Sequence, residues 1–149
     1  MLTADDVFDL QVVNLPGIFD VVWCHYPYNK ATKAPGPDAR PCIVRQSFTR
    51  ATQIKGENHT VGYVEVIYGT KQVDKFHPPR GFHVDDVEEK SLCGLYEDTV
   101  FDLTDRIILP WSPIYFSTKK GAPVSGTLNE DMRARLIDQN SRIDWSKSA

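Results

Sequence analysis

Arg40 is the residue whose neighbours point most directly to chemistry. It lies in the stretch Asp38, Ala39, Arg40, Pro41, Cys42, Ile43, Val44, Arg45, Gln46, Ser47, just after a Pro-rich loop (Ala34, Pro35, Gly36, Pro37). Pro41 fixes its own φ and biases Arg40 toward extended geometry. Arg40 is therefore expected at a loop-to-strand junction, with a set direction. A guanidinium held there offers planar, paired donors to a phosphate or a carboxylate. An ordinary surface arginine fits the same residues, and on these residues alone it is the better reading. Among the histidines, His25 ends an apolar run close in sequence to this loop and is the secondary acid–base candidate. His59, His77 and His83 sit in polar or irregular stretches and read as surface.

The rest of the chain must position these groups. Its 149 residues are enough for one domain with a real core. Hydrophobic content of 41% and charged content of 25% are those of a water-soluble globular protein. A net charge of −3 gives no global basic field, so a nucleic-acid partner would need a local patch. The amino end lacks the basic and apolar regions of a signal peptide, and no apolar run reaches membrane-spanning length. Cys24, Cys42 and Cys93 have no paired spacing, which suits reduced, buried thiols in a cytoplasmic protein. No zinc-binding spacing is present, so no metal and no cofactor are expected.

Thr3 can cap a short helix through Leu10, with Asp5 and Asp6 in its first turn. Ile18 to Tyr26, rich in aromatic and β-branched residues, reads as a mostly buried strand. A basic loop carrying Lys30 and Lys33 follows, then a second strand from Cys42 to Phe48. Thr49 to His59 is polar and reads as a long hairpin connection. Val61 to Tyr68 alternates as the clearest strand, broken by Gly69. Val73 to Asp98 reads as an insertion whose acidic run (Asp85, Asp86, Glu88, Glu89) is a solvated surface. Thr99–Leu103 and Arg106–Leu109 are two further short strands, the second stopped by Pro110. After a linker with Gly121, Pro123 and Gly126, Thr127 and Glu130 form a capping box for a helix to about Asn140. Met132, Leu136 and Ile137 would share its buried side. Short strands and a terminal helix imply a mainly β chain: a small curled β-barrel over about 16–116, then a linker and C-terminal helix.

Four features together resemble the PemK/MazF toxin family of small SH3-like barrels. Pro16–Gly17 opens onto an aromatic strand from Val21 to Tyr26, and Arg40–Pro41 opens the next strand after a flexible loop. Val64 to Tyr68 leads into Gly69 and Thr70, where the family places a strand-end threonine. Phe101, Leu103, Leu109 and Pro110 resemble its late strands. The chain departs from the pattern at Lys71, where a serine is common, at Cys42, where an aliphatic residue is usual, and in the closing helix.

The resemblance implies an SH3-like barrel and a metal-free endoribonuclease (mRNA interferase) acting on single-stranded RNA. In such chemistry the 2′-hydroxyl attacks the adjacent phosphorus and leaves a 2′,3′-cyclic phosphate. The resemblance puts Arg40 and Thr70 at the scissile phosphate, with Arg40 stabilising the developing charge. Lys30, Lys33, Arg45 and Lys71 are then candidate phosphate contacts, and Tyr26 and Tyr28 candidate stacking platforms. Trp23 could also stack, but a place in the core strand suits it better. The implied partners are an antitoxin, whose disordered acidic tail would compete for Arg40, and a second copy in a homodimer. Two other readings stand beside this one: a non-catalytic barrel binding nucleic acid or a protein partner, and a hydrolase of small phosphorylated or carboxylated substrates.

Overall fold

The computed structural model describes residues 6–116 and 122–147. The expected helix start at Thr3 and Asp5, and Gly121 of the expected linker, lie outside the described residues. Residues 6–10 contain no α-helix.

The strands are β1 (Asp20–Cys24), β2 (Arg40–Ile54), β3 (Glu57–Thr70), β4 (Gly81–Val84), β5 (Thr99–Pro110) and β6 (Val124–Thr127). Helix α1 (Val87–Cys93) lies between β4 and β5, and α2 (Glu130–Ser141) follows β6. The strands form one six-stranded sheet in the order β4-β5-β3-β2-β1-β6, with every neighbouring pair antiparallel. The mainly β class and the C-terminal helix therefore match the expectation from sequence, but the closed barrel does not. The edge strands β4 and β6 do not pair with each other, so the sheet stays open. Helices cover that side instead. Ser125 Oγ in β6 donates to the Cys93 carbonyl at the end of α1 at 2.8 Å. Gln139 of α2 donates to the carbonyls of Pro79 and Gly81 at 3.1 and 2.9 Å, beside β4.

Alternation along the strands builds a core on each face. Val21, Ile43, Ile67, Phe82, Phe101 and Leu103 pack under Met132 and Leu136 of α2. Their neighbours Val22, Cys42, Val44, Val64 and Val66 form the opposite core with Trp111 and Phe116. Phe8, Leu10, Val13 and Leu15 cover that second core. Phe101 and Leu109 have the same parity along β5 yet serve different cores. The reason is an irregularity: Ile67 pairs with Arg106, but Gly69 pairs with Phe101. A shift of three residues is odd, so it exchanges the faces. The two short strands expected at 99–103 and 106–109 are thus one strand with this break in the middle.

Several local expectations change. Thr49 to His59 is not a loose connection, because the ladder runs to Ile54↔Glu57 and turns through Lys55 and Gly56 alone. Both have positive φ, 52° and 83°, the geometry of a two-residue type I′ hairpin turn. The first strand is shorter than Ile18–Tyr26, with Ile18 exposed and Phe19 at a φ of 72°. The acidic run is on the surface as expected, with Asp85, Asp86 and Glu88 exposed. The stretch is not irregular, however: Asp86 caps α1 by accepting from Glu89 N, Glu88 and Glu89 occupy its first turn, and Glu89 pairs with Arg135. Acidic groups suit that end of a helix. Thr127 is a β6 residue paired with Asp20, and the α2 cap is Asn129, whose side chain accepts from Met132 N at 2.9 Å. Ile137 faces solvent rather than the core. Among the described residues no helix is long and apolar enough to cross a membrane.

Candidate functional site

Arg40 is the first residue of β2 and Thr70 the last of β3. The β2–β3 register pairs Cys42 with Tyr68. Two residues further along each strand, the same register carries Arg40 and Thr70 to one end of the sheet. There they line a single cleft of about 380 Å³. Gly69 makes the approach possible: a Cβ on it would lie 2.3 Å from the Pro41 carbonyl oxygen and 2.7 Å from the Phe101 ring. No side chain fits in that space.

The Arg40 guanidinium is held by aromatic groups. Its Nη2 donates to the Tyr28 hydroxyl at 3.3 Å. Its centre lies 5.7 Å from the Tyr68 ring centroid and 6.0 Å from that of Tyr28, within the range of cation–π attraction. The bond to Tyr28 raises its pKa beyond the already high arginine value, so the group stays charged. Its Nε is buried and has no hydrogen-bond partner. A buried donor without an acceptor is costly.

Thr70 is only 1% exposed. Its Oγ1 accepts from the Gln72 backbone N–H at 3.2 Å, which uses a lone pair and not the O–H. Lys71 lines the same cleft and faces Glu97 at 3.9 Å. Asp38, Trp23 and Tyr96 complete the part of the wall that matters for chemistry. The Tyr96 ring is tilted over Trp23, with centroids 6.1 Å apart.

The other candidates are placed elsewhere. Tyr26 is buried, and its hydroxyl donates to Asp105 at 2.7 Å. Burial first, then that bond, raises its pKa far above the ordinary tyrosine value. It offers no exposed face for stacking. Lys30 is tied to Asp105 at 2.5 Å and to the Arg106 carbonyl at 3.1 Å. Arg45 occupies the bulge between Val44 and Gln46 and donates to Glu65 at 2.7 Å. It sits about 16 Å along β2 from Arg40. His25 contacts the Gly36 carbonyl through Nδ1 at 3.1 Å, holding the basic loop closed. Lys33 is exposed, and its carbonyl accepts from the Tyr115 hydroxyl at 2.6 Å. Of the expected set, then, Arg40, Thr70 and Lys71 share the cleft, and Tyr28 reaches it through its bond to Arg40.

Reading the sequence alone missed Asp38, Tyr96 and Glu97 and favoured the core for Trp23 over a stacking role. Trp23 packs against the core but is only partly buried. Tyr96 and Glu97 fall inside the stretch read as an insertion, and only the folded sheet brings them to Arg40. No cluster of three or more metal-ligating side chains exists among the described residues. No protein-family model matches this chain, and no curated protein matches it either.

Proposed function

We propose that the Arg40 cleft binds single-stranded RNA and cleaves it without metal. The observation that carries this reading is the Arg40 guanidinium lining a cleft shared with Thr70 and Lys71. A non-bridging phosphate oxygen on that guanidinium would accept from its outer N–H groups and neutralise the cation. The 2′-hydroxyl attacks phosphorus, forming a 2′–O–P bond, and the bond from phosphorus to the 5′-oxygen breaks. The Asp38 carboxylate on the cleft wall takes the 2′-proton, and solvent protonates the leaving oxygen. The products are a 2′,3′-cyclic phosphate and a 5′-hydroxyl. Arg40 stabilises the charge that builds on the phosphorus oxygens, while Thr70 orients the phosphate. On this reading an acidic antitoxin segment would compete with RNA for Arg40, and a second copy of the chain would pair with the first.

One observation favours a different reading, a binding module without catalysis. The Thr70 hydroxyl lies almost wholly inside the fold and already holds the Gln72 backbone, which suits a structural strand end. The two readings separate on a long RNA incubated with the protein and a chelator. The nuclease reading requires fragments ending in 2′,3′-cyclic phosphate from the wild type and none from Arg40→Ala. RNA that is retained but left intact would establish the binding module.

A further inference from the structure

Beside Arg40, the cleft carries a second set of groups that phosphate chemistry does not use. Tyr96 is 67% exposed, its ring backed by Trp23. Glu97 follows it in the chain and is held toward Lys71 across the cleft. An exposed aromatic ring beside a phosphate-binding cation is how single-stranded nucleic acids are gripped: the base stacks while the phosphate is neutralised. The volume of about 380 Å³ is at the small end for a ligand cleft, which suits one nucleotide.

We infer that this cleft is a guanine-nucleotide subsite, with the base stacked on Tyr96 and its Watson–Crick edge held by Glu97. The inference rests on the RNA reading above and names the base which that site selects. An ionised carboxylate only accepts hydrogen bonds. Guanine alone among the four bases presents two adjacent donors, N1–H and the N2 amino group, that one carboxylate can take together. Adenine and cytosine each set one amino group beside a ring acceptor, which would face the second carboxylate oxygen. Uracil flanks its single N–H with two carbonyls. Lys71 Nζ stands 3.9 Å from one Glu97 oxygen, too far for a hydrogen bond that would occupy it.

The test is calorimetric titration of the full chain with GMP, IMP, AMP, CMP, UMP and inorganic phosphate. IMP lacks only the N2 amino group. GMP is expected to bind about tenfold more tightly than IMP or AMP, and Tyr96→Ala to weaken all the nucleotides by about tenfold. Glu97→Gln, a substitution at an exposed position, should bring the GMP-to-IMP ratio close to one. A short RNA with one guanosine that binds more tightly than GMP assigns the site to an RNA strand; equal affinity assigns it to the free nucleotide. The inference falls if GMP and AMP bind alike, if the preference for GMP survives Glu97→Gln, or if phosphate binds as tightly as GMP. RNA cleaved without regard to guanosine also overturns it, while the nuclease reading survives. Selective GMP binding with RNA left intact supports the subsite and removes the nuclease.

Discussion

Arg40 and Tyr28 are joined by one hydrogen bond, from guanidinium Nη2 to phenol oxygen at 3.3 Å. The bond ties the loop before β2 to the cleft and fixes the plane of the cation. With one N–H committed there and the cation lying over the Tyr28 and Tyr68 rings, the guanidinium is oriented before any ligand arrives. Its pKa is raised by the same bond, so the charge of Arg40 is constant across the range in which proteins are assayed.

On the proposed nuclease reading, Arg40→Ala is expected to lower single-turnover RNA cleavage by about a hundredfold or more, the scale for removing one donor to a developing oxyanion. Arg40→Lys keeps the charge but loses the planar donor pair, and should recover less than a tenth of the wild-type rate. If lysine restores full activity, the geometry described for Nε and Nη2 has no part in the reaction. Filter binding on the same variants separates loss of affinity from loss of rate.

Gly69→Ala tests how the two halves of the cleft meet. The added Cβ would stand 2.3 Å from the Pro41 carbonyl oxygen, an approach that backbone cannot relieve cheaply. A loss of about 2–3 kcal/mol is expected, measured by urea unfolding. If the cleft holds RNA as proposed, the surviving folded fraction should bind it poorly, because β2 and β3 would be forced apart where Arg40 and Thr70 lie.

What the sequence disclosed depended on how local the cause was. Pro41 stiffens Arg40 from the adjacent position, so the loop-to-strand junction could be read directly. The break between Leu103 and Arg106 was visible too, although it is an irregularity within β5 rather than a gap between strands. Residues 49–60 misled because they form an arm of two strands that reaches past β1 and β5, leaving many of its side chains in water. With only Ile54 buried between residues 49 and 60, there is little alternation to detect. Thr127 and Asn129 both have cap chemistry, and what separates them is a tertiary fact, the pairing of Thr127 with Asp20. Tyr96 and Glu97 reach Arg40 only through the fold. No spacing in the chain announces it.

The buried carboxylate Asp102 sets the acid sensitivity of the fold. It is 1% exposed and accepts from Arg80 Nε and Nη2 at 2.9 and 2.8 Å and from the Thr104 hydroxyl at 2.8 Å. Burial alone would raise its pKa, but the Arg80 and Thr104 donors more than offset this and hold it below the usual carboxylate value. A depressed folded pKa means the stabilisation is complete above about pH 4, the unfolded value. It is lost as pH falls through the lower folded value. Asp102→Asn should therefore cost about 2 kcal/mol at neutral pH, discounted for an Arg80 side chain that is half exposed. The gap between variant and wild type should narrow in urea titrations as pH drops below about 4. A gap that is independent of pH would mean that the charge on Asp102 contributes nothing.

Lys55 is a place where a single substitution should strengthen the fold. It occupies the first position of the two-residue turn between Ile54 and Glu57, at a φ of 52°. A side chain with a Cβ pays about 1 kcal/mol for left-handed geometry, and asparagine less than most. Asn-Gly is the preferred pair for this turn. Lys55→Asn should raise stability by about 0.5–1 kcal/mol, read as a higher urea midpoint with an unchanged slope. Lys55→Pro is the opposing control, because its φ is fixed near −65° and cannot enter the turn. It should unravel the end of the arm, so that amide exchange at residues 52–60 becomes fast while β1 and β5 stay protected. If the proline variant is as stable as wild type, the tight turn is not formed in solution, and the hairpin ends in a looser connection.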